Sequence, residues 1–365
     1  MPPLTVYQTR NLTEAIEGCL LGTAVGDAIG LPTEGLTRTR QRRLFGPIVG
    51  HRLLFGRGLV SDDTEHAVLV AQALIRSSAQ PPAFESALAS GLRRWFALLP
   101  PGIGFATLRA CLRLTIGIPP SRSGVFSAGN GPAMRAPLLG VACGADPVRL
   151  RDLIRISTRI THTDPRAEYA ALAVSLASIH SALGDDNSQN FLTALRTNLP
   201  NDDAAAELLH LADAAISSAE AGEETTAFAA RVLSLPERIT GYSYHTVPAA
   251  LHAWRRYPDD YRQAVLSVIA CGGDTDTTAA IVGGIVGAGV GAAGIPGDWL
   301  ASLIESPCNV AWMRRLAADL AASLANESSV ETIAARLPAL ALRNALFLCV
   351  VLYHGLRRLV PYPNR

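Results

Sequence analysis

Apolar residues recur at three- and four-residue spacing along most of the chain. Val68, Ala71, Gln72 and Ile75 follow one helical stripe, and Leu208, Leu211, Ala215 and Ile216 follow another. Residue-by-residue alternation of apolar and polar positions, the mark of a half-buried strand, is nearly absent. The pattern predicts an all-α fold. Gly, Pro, Asn and Asp punctuate it at Leu99–Gly104, Ile118–Gly131, Gly184–Asn190, Asn198–Asp203 and Ile295–Asp298, which read as loops between helices. None is long or polar enough for an interdomain linker, and no repeat of 20–50 residues is present. One domain over residues 14–365 is expected, after a short N-terminal extension over residues 1–13.

Two apolar stretches bear on the membrane question. From Thr277 to Ile295 the chain carries no charge and repeats small residues, with Gly283, Gly284, Gly287, Gly289 and Gly291. Its length suits a bilayer span, but Asp274 and Asp276 stand immediately before it, and glycine is a poor helix former in isolation. A central helix buried in close contact with its neighbours explains the same pattern. Ala345–Tyr353 is too short to span a bilayer and reads as a core helix.

Composition narrows the function classes. The 365 residues are 49% hydrophobic and 17% charged, with a net charge of +1 and no dense basic run, so no nucleic-acid footprint is expected. Six scattered cysteines form no C-x-x-C pair, which suits small buried hydrophobes in a reducing cytoplasm. The first residues lack the basic region and long apolar core of a signal peptide. A cytoplasmic protein without a membrane partner is expected.

Candidate chemistry sits in two acidic clusters, each leading directly into an apolar helix. The first is Ser61-Asp62-Asp63-Thr64-Glu65, and the second is Gly272-Gly273-Asp274-Thr275-Asp276-Thr277-Thr278. Helix capping accounts for either alone, and Asp62 with Glu65 three residues on has the form of a capping box. Together they hold more acids than caps require. Carboxylate and hydroxyl oxygens are the ligands of hard cations such as Mg²⁺ and Mn²⁺, and paired ions need bridging carboxylates. Convergence of the two helix starts would build such a centre.

Four blocks in this order resemble the ADP-ribosylglycohydrolase family. They are Gly18-Cys-Leu-Leu-Gly-Thr-Ala-Val-Gly-Asp-Ala-Ile-Gly30 followed by Glu34, then Ser61-Asp-Asp-Thr64, Gly129-Asn-Gly-Pro-Ala-Met-Arg135, and Gly272-Gly-Asp-Thr-Asp-Thr-Thr278. The resemblance runs from about Ile16 to about Gly294 and implies a compact orthogonal helix bundle. It implies a hydrolase that removes ADP-ribose from modified protein, with two Mg²⁺ ions, replaceable by Mn²⁺. Ser61, Asp62, Asp63, Asp274, Asp276 and Thr277 are the implied metal ligands. Glu34 is the implied catalytic acid or base, acting with Asp63 and Asp276. Asp27, Ser127, Gly129, Asn130, Gly131 and His162 are implied around the substrate, and Tyr242 could stack on adenine or merely pack.

The residues suit that chemistry. Glycosidic cleavage through an oxocarbenium-like state needs an acid/base and an electrophile, and the small loop Ser127–Gly131 could turn N–H groups toward a diphosphate. Pro132, His245 and Ser61 depart from the family's usual residues, but no metal carboxylate is lost. His66 reads as packing, as do Trp95, Trp254, Trp299 and Trp312. The acceptor expected by analogy with bacterial members is arginine. A serine or ester linkage, and a toxin-neutralising immunity protein paired with an ADP-ribosyltransferase toxin, are the alternatives. A module that binds without turnover is disfavoured by the intact acids.

Overall fold

The computed structural model describes residues 12–326, 333 and 335–359. Among these residues, nineteen α-helices carry the chain, as the apolar spacing predicts. The first half holds α1 (Leu12–Gly30), α2 (Arg38–Phe45), α3 (Asp62–Ser77), α4 (Pro81–Ala97), α5 (Phe105–Thr115), α6 (Pro120–Ser123), α7 (Gly131–Met134), α8 (Ala136–Cys143), α9 (Pro147–Arg159) and α10 (Pro165–Leu183). The second half holds α11 (Ser188–Asn198), α12 (Asp203–Glu220), α13 (Thr225–Arg231), α14 (Ser243–Arg256), α15 (Tyr261–Ile269), α16 (Thr275–Gly294), α17 (Gly297–Ser302), α18 (Val310–Asn326) and α19 (Leu337–Leu359). Residues 1–11 of the expected extension lie outside the described residues, and Leu12 and Thr13 already belong to α1.

The centre of the bundle is the antiparallel pair α1 and α16, surrounded by α3, α10, α14, α15 and α18. The glycines of the two helices face each other. A Cβ added at Gly18, Gly22 or Gly26 would lie 2.1 Å from the carbonyl oxygen of Gly287, Gly283 or Ala279. The seam therefore brings backbone against backbone, and the entropic cost of glycine in a helix is offset by packing no larger residue permits. This confirms the expected buried central helix, although its regular geometry breaks at Gly291, where φ is 68°.

Among the described residues, three helical stretches are long and apolar enough to cross a membrane by length and composition: Leu12–Thr33, Thr275–Gly294 and Leu337–Leu356. The first two are 94% and 67% buried inside the protein, which accounts for their hydropathy. The third is only 22% buried. The expectation of a core helix at Ala345–Tyr353 is corrected accordingly: the helix is longer, and most of its apolar face looks outward.

Among the described residues, two short strands tie together segments far apart in the chain. β1 (Leu36–Thr37) pairs antiparallel with β2 (Gly272–Gly273), Leu36 opposite Gly273 and Thr37 opposite Gly272. Gly272 and Gly273 have φ of 72° and 87°, and a Cβ on Gly273 would meet the Ile239 carbonyl oxygen at 1.8 Å. Only glycine fits both the dihedral and the space. The pairing sets the loop that carries Glu34 beside the start of α16.

Candidate active site

The start of α3 is held from behind. Ser61, with extended backbone, is the N-cap, its Oγ accepting from the Asp63 N–H at 3.3 Å. The capping-box reading of Asp62 and Glu65 is thus corrected. Glu65 turns away, accepting from Trp95 Nε1 at 2.6 Å and pairing with Arg343 at 2.7 Å. Asp62 is left facing the cleft. Asp27, fully buried on α1, accepts through Oδ2 from Ser61 N at 2.9 Å, Thr64 N at 3.2 Å and Thr64 Oγ1 at 2.5 Å. It therefore positions α3 and does not line the cleft, so its expected place around the substrate is revised to support from within.

At the start of α16 no side chain caps the helix. Asp274 instead accepts from Asn130 Nδ2 at 2.7 Å, and its N–H donates to the Ile239 carbonyl at 2.9 Å. Thr275 is anchored to the Gly30 carbonyl at 2.8 Å. The two clusters meet at Asp63, whose Oδ2 accepts from Ser61 Oγ and Thr277 Oγ1, both at 3.1 Å. Residues 214 positions apart in sequence thus share one carboxylate oxygen.

These acids repel one another in a dry environment. Burial, and then the charges of Asp27, Asp62 and Asp274, push Asp63 well above the usual carboxylate range. Burial, then Glu34 and Asp274, do the same to Asp276; burial, then Glu65 and Asp27, do so to Asp62. Burial raises Asp27 to about 6 despite its hydrogen bonds from Thr64 and Ser61. Asp27 Oδ1, Asp63 Oδ1 and Asp276 Oδ1 are buried without a hydrogen-bond partner. Buried carboxylates so arranged repel one another, and a hard divalent cation matches their all-oxygen donor set. The side chains at present bond to one another: among the described residues, no three His, Cys, Asp or Glu groups converge closely enough to hold an ion as they stand.

The cleft above the acids has a volume of about 620 Å³. Glu34 stands on its rim, with Asp62, Asp274, Asp276 and Thr277 on its floor and Ser127, Gly129, Asn130, Gly131 and His162 along one wall. Withdrawal from water, and then Asp274, raise the Glu34 carboxyl, while Arg358 opposes the shift. The wall loop is bonded to the protein at two amides: Asn130 N donates to the Gly241 carbonyl at 3.0 Å and Gly129 N to Ser127 Oγ at 3.3 Å. The expected row of N–H donors is therefore partly engaged within the protein. The His162 ring lies against both glycines, 3.0 Å from where a Cβ on either would stand. Its Nδ1 pairs with Thr161 Oγ1 at 2.8 Å, and the same hydroxyl accepts from Arg135 at 2.7 Å. Burial, then the Arg135 charge, lower His162 to about 3, which leaves the ring neutral.

Tyr242 does not face the cleft. Its backbone pairs with Gly129 and its ring packs edge-on against His245 at 4.9 Å. His66 packs edge-on to Trp95 at 4.6 Å, and Trp95, Trp254 and Trp299 are buried, as expected for packing residues. Sequence reasoning missed Phe105, Thr107 and Arg238 on the cleft wall, and the buried Arg135. Phe105 opens α5 directly after a stretch read only as a loop, and an aromatic at a helix start carries no local mark of function.

With this geometry in place, comparison with known proteins is specific. The family model described as ADP-ribosylglycohydrolase matches residues 8–330. An uncharacterized protein of Archaeoglobus fulgidus is 30% identical over 297 residues, covering 80% of this chain and 92% of that protein. The ADP-ribosyl-[dinitrogen reductase] glycohydrolase of Rhodospirillum rubrum is 26% identical, covering 78% of this chain and 89% of that protein. A solved structure, described as an ADP-ribosylglycohydrolase-related protein complex, superposes with a TM-score of 0.64 at 27% identity, covering 86% of this chain and 99% of that one. The all-helical fold, the paired acidic helix starts and the match over most of the chain lead to one conclusion: this chain belongs to the ADP-ribosylglycohydrolase family.

Proposed function

We propose that the protein is a Mg²⁺-dependent hydrolase that releases ADP-ribose from ADP-ribosylated protein, with arginine as the modified residue. The observation that carries this reading is the gathering of Asp62, Asp63, Asp274, Asp276 and Glu34 from three chain segments at one cleft. Ser61, Asp62, Asp63, Asp274, Asp276 and Thr277 would hold the cations. When bound there, Mg²⁺ supplies activation of a water and a grip on the ribose hydroxyls. The chain's own residues do the rest. Glu34, raised above its ordinary value by burial and then by Asp274, can hold or take up a proton at its carboxyl on the rim. His162 and the loop Ser127–Gly131 line the wall that would receive the diphosphate. Asn130 ties that wall to Asp274, so ligand and cation sites share one support. The acidic floor and rim favour a cationic acceptor.

The test offers arginine- and serine-ADP-ribosylated peptides with Mg²⁺ and measures free ADP-ribose. Release from the arginine peptide is expected; release from serine alone overturns the acceptor, and full activity in excess chelator overturns the metal. Glu34→Gln should lower kcat strongly while calorimetry still shows ADP-ribose binding. Unchanged turnover would remove Glu34 from the chemistry.

A further inference from the structure

The helix α19 lies beyond the part of the chain that matches the family, and it packs inside out. Four of its polar residues, Arg343, Asn344, His354 and Arg358, face the protein. Arg343 is buried, donating to Glu305 at 2.8 Å, Glu65 at 2.7 Å and the Val60 carbonyl at 2.5 Å. Asn344 donates to the Leu98 carbonyl at 2.9 Å, and the His354 ring packs 5.7 Å from that of Phe45. Arg358 donates to the carbonyls of Glu34 at 3.0 Å and Pro32 at 2.5 Å. The opposite face is apolar: Leu342, Leu346, Leu348, Leu352, Tyr353 and Leu356 are each 45–65% exposed. Advancing 100° per residue, these six cover an arc of roughly 160°. Apolar side chains are normally the part of a surface helix that is buried.

Positive charge flanks the stripe. Helix α2 lies beside the C-terminal half of α19, with Arg40 donating to the Arg358 carbonyl at 3.2 Å. Arg40, Arg42 and Arg43 are exposed on α2. Glu237 faces that helix, its carboxylate accepting from Thr39 Oγ1 at 2.9 Å. From residue 332 to the end of the chain the sequence contains no Asp or Glu.

We propose that the outward face of α19, with the arginines of α2, docks the protein on an anionic lipid surface. The stripe would enter the boundary between headgroups and acyl chains, and the guanidinium groups would meet headgroup phosphates, as for helices that lie in the plane of a bilayer. Two features favour lipid over a second copy of this chain. The arc is wider than the narrow seam by which two helices pair. A second copy would also bring its own α2 arginines to the interface. The docking replaces the expectation of no membrane contact, and it sets the Glu34 rim, held by Arg358, beside the lipid surface. It does not depend on which acceptor the enzyme cleaves.

Flotation of the full chain with vesicles tests it. Binding is expected to vesicles of phosphatidylcholine with phosphatidylglycerol, and at least tenfold weaker binding to phosphatidylcholine alone. The double variant Leu346→Glu, Leu352→Glu should lose at least tenfold in vesicle affinity, with hydrolysis of a soluble substrate unchanged. Arg42→Glu with Arg43→Glu should remove the preference for phosphatidylglycerol and keep the fold, as read by circular dichroism. Absence of flotation by the wild-type chain overturns the proposal. So does light scattering that shows a dimer dispersed by the leucine variant, which would assign the face to a second copy.

Discussion

The helices α3 and α16 begin with the same kind of sequence, acids and hydroxyls ahead of an apolar run, yet the protein holds the two starts by different physics. Polar bonds hold α3. Ser61 caps it, the Asp27 carboxylate takes three donors from its first turn, and Arg343 clamps Glu65 from the far end of the chain. Backbone contact holds α16. Its N-cap Asp274 makes no capping bond, and the helix is fixed by the Gly272–Gly273 pairing and by the glycine seam with α1. One start can therefore be loosened by removing a charge, whereas the seam that fixes the other is broken by adding atoms. The acids of α16 are free of capping duty, so Asp274 can bond to Asn130 in the wall loop of the cleft.

The largest effect should come from filling the seam. A Cβ on Gly283 would stand 2.3 Å from the Gly22 carbonyl oxygen and 2.9 Å from the Tyr261 hydroxyl. Gly283→Val should cost at least about 3 kcal/mol, at or beyond the upper end of ordinary overpacking, because backbone cannot move aside as a side chain can. Chemical denaturation with a midpoint like that of the unaltered protein would refute the account of α16. Asp276→Ala separates activity from stability. It should lower kcat/KM at least about a hundredfold, near 2.7 kcal/mol of transition-state stabilisation, with the denaturation midpoint held or raised, since a buried charge is lost. Asp27→Ala should lower both, because it strips the acceptor from two N–H groups and a hydroxyl at the start of α3. Equal midpoints for these two variants would erase the distinction between the helix starts.

Local pattern carried the helices, their breaks and the buried glycine-rich helix, because each depends on neighbours within a turn or two. The glycine pair before Asp274 permits the close backbone pairing with Leu36 and Thr37. Spacing could not show that Thr277 and Asp63 meet; that expectation rested on family resemblance. Nor could it show which side of a helix faces in. The periodicity of α19 is evident in the sequence, but its orientation is decided by Arg343 and Arg358 finding Glu65, Glu305 and the Glu34 carbonyl, partners 38 to 324 residues away. Asp27 illustrates the same limit: an acid near a functional motif can serve the chemistry or the helix that presents it, and only burial and partners distinguish these roles.

The smallest effect, and the sharpest on the electrostatic side of the comparison, is the pH dependence of stability. Without a cation, the folded protein holds Asp27 at about 6 and Asp62, Asp63 and Asp276 well above their ordinary range, whereas in the unfolded chain such groups titrate near 3.9. Between those values the folded state binds more protons than the unfolded state. Stability contributed by these groups therefore falls as pH rises from about 4 through 6. A divalent cation binds the ionised carboxylates and reverses the penalty. At a hundred times its Kd it would add about 2.7 kcal/mol at neutral pH, and less in acid, where protons compete for the same oxygens. Thermal unfolding should show a Mg²⁺-dependent rise in Tm of a few degrees at pH 7.5 that shrinks at pH 5.5. In Asp63→Asn the rise should be largely lost at both values. An equal rise at the two pH values, or a full rise in that variant, would place the cation elsewhere and return the buried acids of α3 and α16 to a purely structural role.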